Sequence, residues 1–123
     1  MITPSHTAIE TLPFDIASSG DNIIVPLFVP ATGLKLGATY VHSISLFPAA
    51  AVTVTLKAVN TVTTAARLWY EDMPLTAAQP FILENASPDS VYLYSLLPDE
   101  ELVVELSSAV RCTGFTNASY FIG

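Results

Sequence analysis

The chain has 123 residues, of which 51% are hydrophobic and 12% charged, and its formal net charge at pH 7 is −7. This length fits one domain, and so high a hydrophobic content excludes intrinsic disorder. The basic residues stand far apart in sequence and are Lys35, Lys57, Arg67 and Arg111. Phosphate binding needs clustered lysines and arginines, so we expect neither nucleic acid nor a membrane surface as a partner.

Alternation of apolar with polar residues, rich in Val, Ile and Thr, predicts short β-strands along the whole chain. In chain order these strands cover residues 8–16, 22–29, 40–47, 51–59, 63–70, 80–84, 91–96, 102–106 and 111–122. Turn-forming residues separate them, most clearly at 18–22 and 98–100. Nine prolines argue against long helices, and Pro26 and Pro80 are expected at strand ends, edges or bulges.

Eight or nine short strands with a spacing of roughly ten residues predict an antiparallel all-β sandwich or barrel. We expect one such domain over residues 1–123, with residues 1–7 as a flexible N-terminal arm before the first strand. The two most regular strands, 51–59 and 102–106, are each expected to place two alternating side chains in the core. These four residues are Val54, Leu56, Val104 and Leu106.

The chain lacks the residue sets typical of catalytic or metal sites, so we predict neither enzyme activity nor a cofactor. Of the two histidines, His6 and His42, the second lies on the strand face that carries Ile44. We interpret His42 as a hydrogen-bonded residue in or beside the core, or at a subunit contact. The single cysteine, Cys112, is interpreted as a small buried side chain, since Arg111 is the one basic residue near it in sequence that could lower its pKa.

Two acidic clusters, at residues 71–72 and 99–101, are candidates for binding a hard cation. Neither has the alternating ligands of a calcium-binding loop, so we interpret both as solvated turns. A phosphate-binding loop is not expected either, because the sequence has no glycine-rich segment between a strand and a helix.

Apolar and aromatic residues outside the expected core predict a surface for partners. Residues 22–29 are apolar on both strand faces, which suggests that a second layer, such as a neighbouring subunit, covers them. The aromatic residues at 69–70, 92 and 94 are typical of interfaces, although they could instead close the ends of a sandwich. The candidate interface comprises Ile23, Val25, Leu27, Val29, Trp69, Tyr70, Tyr92 and Tyr94.

Three stretches resemble, in the same order, a set of small virion proteins of tailed bacteriophages. They are residues 18–25 (SSGDNIIV), 50–57 (AAVTVTLK) and 101–110 (ELVVELSSAV), and the resemblance spans about residues 17–122. Residues 67–83 match the family pattern poorly. The resemblance implies a jelly-roll-like β-sandwich of about eight strands that serves as a capsid decoration (cement) protein. It further implies a homotrimer, bound to the major capsid protein on the virion surface and made in the host cytoplasm.

A tail or fibre component is the alternative that the same resemblance leaves open. Jelly rolls commonly bind carbohydrate on aromatic platforms, and residues 69–70 (WY) are the candidate platform here. The first residues lack the basic and then apolar order of a signal peptide, so we expect a protein that is not exported through a membrane. Its acidic balance suits an outer surface protein and does not suit one that packs DNA.

Overall fold

The computed structural model describes residues 5–6, 9–29, 33–34, 38–84 and 93–122, with the backbone alone at 5–6, 28–29, 33–34 and 121–122. No helix that could cross a membrane occurs in this part of the chain. The strands are β1 (Ser5–His6), β2 (Glu10–Ile16), β3 (Gly20–Val25), β4 (Phe28–Val29), β5 (Gly33–Leu34), β6 (Thr39–Pro48), β7 (Val52–Asn60), β8 (Ala66–Leu75), β9 (Phe81–Glu84), β10 (Tyr94–Leu96), β11 (Glu100–Leu106) and β12 (Cys112–Ile122).

Two antiparallel sheets account for most of these strands, and the expected all-β sandwich is confirmed. In sheet I, β12 pairs with β6 on one side and with β1 and β2 on the other, and β6 pairs in turn with β9 and β10. In sheet II the strand order is β3-β11-β7-β8. Strands β4 and β5 form a separate two-stranded ladder.

The described part of the chain contains eight strands of four or more residues, and they pair in a nested order, the first with the last, the second with the second-last, and so on. Thus β2 pairs with β12, β3 with β11, β6 with β9, and β7 with β8. Nested antiparallel pairs that divide between two packed sheets are the arrangement of a jelly roll. The fold is therefore a jelly-roll-like β-sandwich, and its number of longer strands agrees with the expected number of about eight.

One hydrophobic core lies between the two sheets and holds all four residues predicted for it. Val54 and Leu56 reach it from β7, and Val104 and Leu106 reach it from β11. Cys112 on β12 is also buried there, which confirms its interpretation as a small packing residue. Burial raises the pKa of the Cys112 thiol, because a thiolate in the core would lose its hydration.

A β-bulge in β3 explains why the sequence is apolar on both faces near residue 24. The pairing with β11 skips Ile24, so β3 has one more residue than its partner at this point. Ile24 and Val25 are both buried as a result, while Ile23 points outward and is exposed. The strand then ends before Pro26, so the expectation of one continuous strand over 22–29 is wrong.

A second bulge lies in β6 at His42, which the pairing with β12 skips. The bulge reverses the alternation, so that Val41 and Ile44 both lie in the core. His42 lies on the outer face, half-buried, with its Nε2 atom 3.0 Å from the Oγ atom of Ser119. The prediction that His42 shares a face with Ile44 is wrong, whereas the expected hydrogen bond is present.

Pro26, Pro80 and the turn over residues 18–22 lie at the positions predicted from the sequence. Pro26 follows β3 directly and Pro80 precedes β9 directly, so neither interrupts a ladder. The turn over 18–22 holds Gly20 at a φ of 86°, which glycine adopts at little cost. Of the segment 1–7, expected to be an arm, β1 pairs with the end of β12, and the rest of the segment lies outside the described residues.

Candidate interaction surfaces

The outer face of sheet II carries four neighbouring residues that we call the sheet II row. The row crosses all four strands as Ile23, Val103, Lys57 and Leu68. Ile23 and Leu68, at its two ends, are 53% and 52% exposed, whereas Val103 is buried between its neighbours. A partner that docked here would remove two large apolar side chains from water.

Carboxylates surround the lysine at the centre of the sheet II row. Lys57 Nζ lies 2.9 Å from Asp21 Oδ1 and 3.1 Å from Glu105 Oε1. Two hydrogen bonds raise the pKa of Lys57, and the one with Asp21 has a larger effect than the one with Glu105. A third carboxylate of this face, Glu101, accepts a hydrogen bond from the backbone N–H of Leu27 at 3.3 Å. The apolar ends of the row therefore lie in an acidic surrounding.

The outer face of sheet I carries a row of different chemistry, the sheet I row. It crosses the sheet as Pro13, Phe115, Ser45 and Ile82. Ile82 is 55% exposed, and Ser45 is buried between its neighbours although it lies on the outer face. Phe47, which is 40% exposed, packs beside Phe115 with ring centroids 6.5 Å apart.

Neutral polar side chains adjoin the sheet I row on its other side. The Thr11 hydroxyl donates to Asn117 Oδ1 at 2.7 Å, and Asn117 Nδ2 donates to the Ser43 hydroxyl at 2.6 Å. At the opposite corner of the face, Arg111 Nη2 donates to Asp15 Oδ2 at 2.8 Å. This ion pair, mainly through its hydrogen bond, lowers the pKa of Asp15. The two charges cancel, and Glu84 at the outer edge and the half-buried His42 are the other acidic and basic groups described on this face, so its net charge is small.

An aromatic cluster closes the side of the sandwich between β8 and β9–β10. The rings of Trp69 and Tyr94 stack with centroids 4.2 Å apart, and Tyr70 meets Phe81 edge to face at 5.5 Å. Two bulges in β8 bring Trp69 and Tyr70, although adjacent in sequence, both against the core. Burial, together with a hydrogen bond to Tyr70, raises the pKa of Tyr94 to about 12. Tyr92, the remaining aromatic residue expected at an interface, lies outside the described residues.

An ion pair between a buried carboxylate and a half-exposed arginine lies on the same side of the sandwich. Glu100 is 3% exposed, and its Oε2 atom accepts a hydrogen bond from Arg67 Nε at 2.8 Å. Its other oxygen accepts from the backbone N–H of Leu97 at 2.8 Å, while Arg67 Nη2 donates to the carbonyl of Ser95 at 3.0 Å. The expectation of a solvated turn over 99–101 is therefore wrong for Glu100. Its alternating position on β11 points inward, and the ion pair with Arg67 together with the hydrogen bond from Leu97 offsets the cost of its burial.

The aliphatic residues expected at an interface are divided between surface and interior. Ile23 is exposed at the end of the sheet II row, and Leu27 is half-buried beyond the end of β3. Val25 is fully buried in the core, so the folded domain does not present it to a partner. The side chain of Val29 lies outside the described part of the chain.

Sequence reasoning missed Leu68, Phe47 and Ile82, three large apolar side chains that are exposed on the two faces. For Phe47 a signal existed, because it follows Ser45 on the outward side of a strand whose inward side holds Ile44. For Leu68 and Ile82 the outward direction follows only from their pairing with β7 and β6.

Ligand sets for a metal ion are absent from the described residues, where no three His, Cys, Asp or Glu side chains lie together. No protein-family model matches the chain, and no curated protein is found as its relative. The fold and the two rows define a class of structure, a jelly-roll-like sandwich whose outer faces differ in charge and each expose large apolar side chains.

Proposed function

We propose that this protein is a structural virion protein that decorates the outer surface of a tailed-phage capsid and stabilises it. It acts as a homotrimer whose partner is the major capsid protein. The observation that carries the proposal is the sheet II row, in which exposed Ile23 and Leu68 flank a lysine surrounded by carboxylates. The three sequence stretches that resemble phage virion proteins support it, and the jelly-roll-like sandwich is the fold that they imply.

The chemistry of the sheet II row suits a protein partner. Burial of Ile23 and Leu68 would supply affinity by the removal of apolar surface from water. The surrounding carboxylates, Asp21, Glu101 and Glu105, would select a basic surface on the capsid and repel nucleic acid. Because three copies bound to one shell act together, modest contacts by each copy suffice for firm attachment.

A carbohydrate-binding domain of a tail or fibre is the second candidate, and the half-buried Trp69 is the observation that favours it. A sugar could stack on the indole ring. Tyr94 already covers one face of that ring, so only the other face is left for a ligand.

Addition of the purified protein to undecorated shells of its own virus tests the proposal. We expect saturable binding at a fixed copy number per shell and a higher resistance of the shells to heat or low salt. An array of glycans, probed with the same protein, is the parallel measurement. Failure to bind any shell, together with binding to a glycan that Trp69→Ala abolishes, would contradict decoration and favour the carbohydrate-binding domain.

A further inference from the structure

The distribution of charge over the two outer faces separates them into surfaces for different partners. The sheet I row contains no ionisable side chain. Beside it lie neutral groups, among them Phe47, Ser43 and Asn117. The acidic and basic side chains described around this face are the mutually paired Asp15 and Arg111 at one corner, Glu84 at the outer edge, and the half-buried His42. In the sheet II row, by contrast, the charged Lys57 lies near the centre, with the carboxylates of Asp21 and Glu105 paired to it.

A chain with a net charge of −7 repels its own copies. Contact between copies through the outer face of sheet II would bring Asp21, Glu101 and Glu105 of one copy close to acidic groups of the next. Contact through the outer face of sheet I would bury Phe47, Phe115 and Ile82 and would bring few charges together. Of the two faces, the second is the one that a homo-oligomer of this chain can bury at the lower electrostatic cost.

We infer that the outer face of sheet I, centred on Phe47 and Ile82, is the surface through which copies of this chain contact one another. The inference rests on the self-association within the proposed function and adds the surface that performs it. It leaves the acidic outer face of sheet II free for a basic partner. Self-association of this kind is insensitive to salt or strengthened by it, because salt screens the repulsion between acidic chains.

Sedimentation velocity of the full chain over a series of concentrations tests the inference. The double variant Phe47→Ser/Ile82→Ser removes the apolar side chains of the proposed contact, and Ile23→Ser/Leu68→Ser is the matched control on the other face. We expect the wild type and the control to form the same oligomer. In the test variant we expect the dissociation constant to rise about tenfold or more, because each buried apolar side chain contributes at least that factor. Far-UV circular dichroism checks that both variants keep their β-structure, and Ile82→Ser alone replaces the double variant if that variant unfolds.

Three results would overturn the inference: a monomeric wild type at every concentration, a test variant as oligomeric as the wild type, or a control that dissociates as fully as the test variant. Shell binding by the same proteins separates this inference from the proposed function. A monomer that still decorates shells overturns the self-contact and leaves decoration standing. An oligomer that the test variant dissociates, but that binds no shell, supports the self-contact and contradicts decoration.

Discussion

At the scale of single residues, Gly114 marks a close approach of two strands in sheet I. A Cβ atom at this position would lie 1.9 Å from the carbonyl oxygen of Ser45 and 2.8 Å from Cζ of Phe14. The first contact is with the backbone of β6, so it cannot be relieved by rotation of a side chain. Only glycine allows β12 and β6 to pair here while the Phe14 ring packs over them.

We expect Gly114→Ala to lower the free energy of unfolding by about 3 kcal/mol, the upper end of the usual cost of overpacking. Gly20→Ala is the matched control, because a Cβ atom at Gly20 meets nothing within 4 Å and costs only the strain of a φ of 86°, about 1 kcal/mol. Urea titration of both variants measures the difference. Equal losses in the two variants would show that the close approach at Gly114 is absent.

The pair of Arg67 and Glu100 predicts an asymmetry between its two partners. Arg67 is 48% exposed, so water can hydrate its charge when Glu100 is replaced. Glu100 is buried, so water cannot hydrate its charge when Arg67 is replaced. Arg67→Met should therefore cost about 3–5 kcal/mol, as expected when a buried charge loses its partner. Glu100→Gln should cost less, about 1–2 kcal/mol, because it removes a charge-assisted hydrogen bond and strands no buried charge. A larger loss for Glu100→Gln in chemical denaturation would contradict this account of the pair.

The sequence reveals little of this residue-scale detail. Burial of Glu100 follows from the same alternation that buries Leu102, yet a carboxylate beside a proline turn is also typical of a solvated loop. The deciding fact is the position of Arg67, which is 33 residues away in sequence and is brought near only by the pairing of β8 with β7.

At the scale of the elements, β7 lies between β11 and β8, with its inward side chains in the core and Lys57 on its outer face. Leu56→Ala should cost about 2–5 kcal/mol, since it leaves a cavity between the sheets. Leu68→Ala, on the adjacent β8, deletes the same atoms from a half-exposed site and should change stability by about 0.5 kcal/mol or less. A comparable loss in both variants, measured by urea titration, would contradict the assignment of inner and outer faces.

Most strands could be predicted from alternation, and the faces of the regular strands with them. The failures at Val25 and His42 have one physical cause, a β-bulge (at Ile24 in β3 and at His42 in β6) that reverses the alternation in the middle of a strand. A bulge depends on the register with a distant partner, and neither residue type signals one. The same applies to the two rows, whose members come from different strands and meet only through the nested pairing.

At the scale of the whole molecule, burial of tyrosines makes the fold sensitive to alkaline pH. An unfolded tyrosine ionises near pH 10, whereas the pKa of Tyr94 in the folded protein is about 12. As the pH rises, the unfolded chain therefore releases this proton first. The ionisation of Tyr94 leaves the free energy of unfolding unchanged below about pH 10 and lowers it from there to about pH 12. The raised pKa values of the buried Tyr120 and of Lys57 act in the same direction.

Tyr94→Phe removes the ionisable group while it keeps the ring stacked on Trp69. We expect the variant to lose less stability than the wild type when urea titrations are repeated between pH 9 and pH 12, with a residual loss from Tyr120 and Lys57. Identical pH profiles for the two proteins would contradict the burial of the Tyr94 hydroxyl.

The division of the molecule into an acidic face and a nearly neutral face connects the fold to the proposed function. The contacts proposed for the two faces need no catalytic group. Each face instead presents apolar side chains whose spacing is set by the strand pairing. The sequence indicated one member of this arrangement, Ile23, and the resemblance to phage virion proteins suggested its use. The second face, with Phe47 and Ile82, emerges only from the register of sheet I.

The most direct test of capsid decoration is the number of copies that undecorated shells bind at saturation, compared between the wild type and Ile23→Ser/Leu68→Ser. Val62→Ser/Ile9→Ser is the control, because both side chains are exposed and neither belongs to the sheet II row. We predict a fixed saturating copy number for the wild type and the control, and binding about tenfold or more weaker for the sheet II variant. Shells that bind none of the three proteins, or that bind the sheet II variant as tightly as the wild type, would contradict the account.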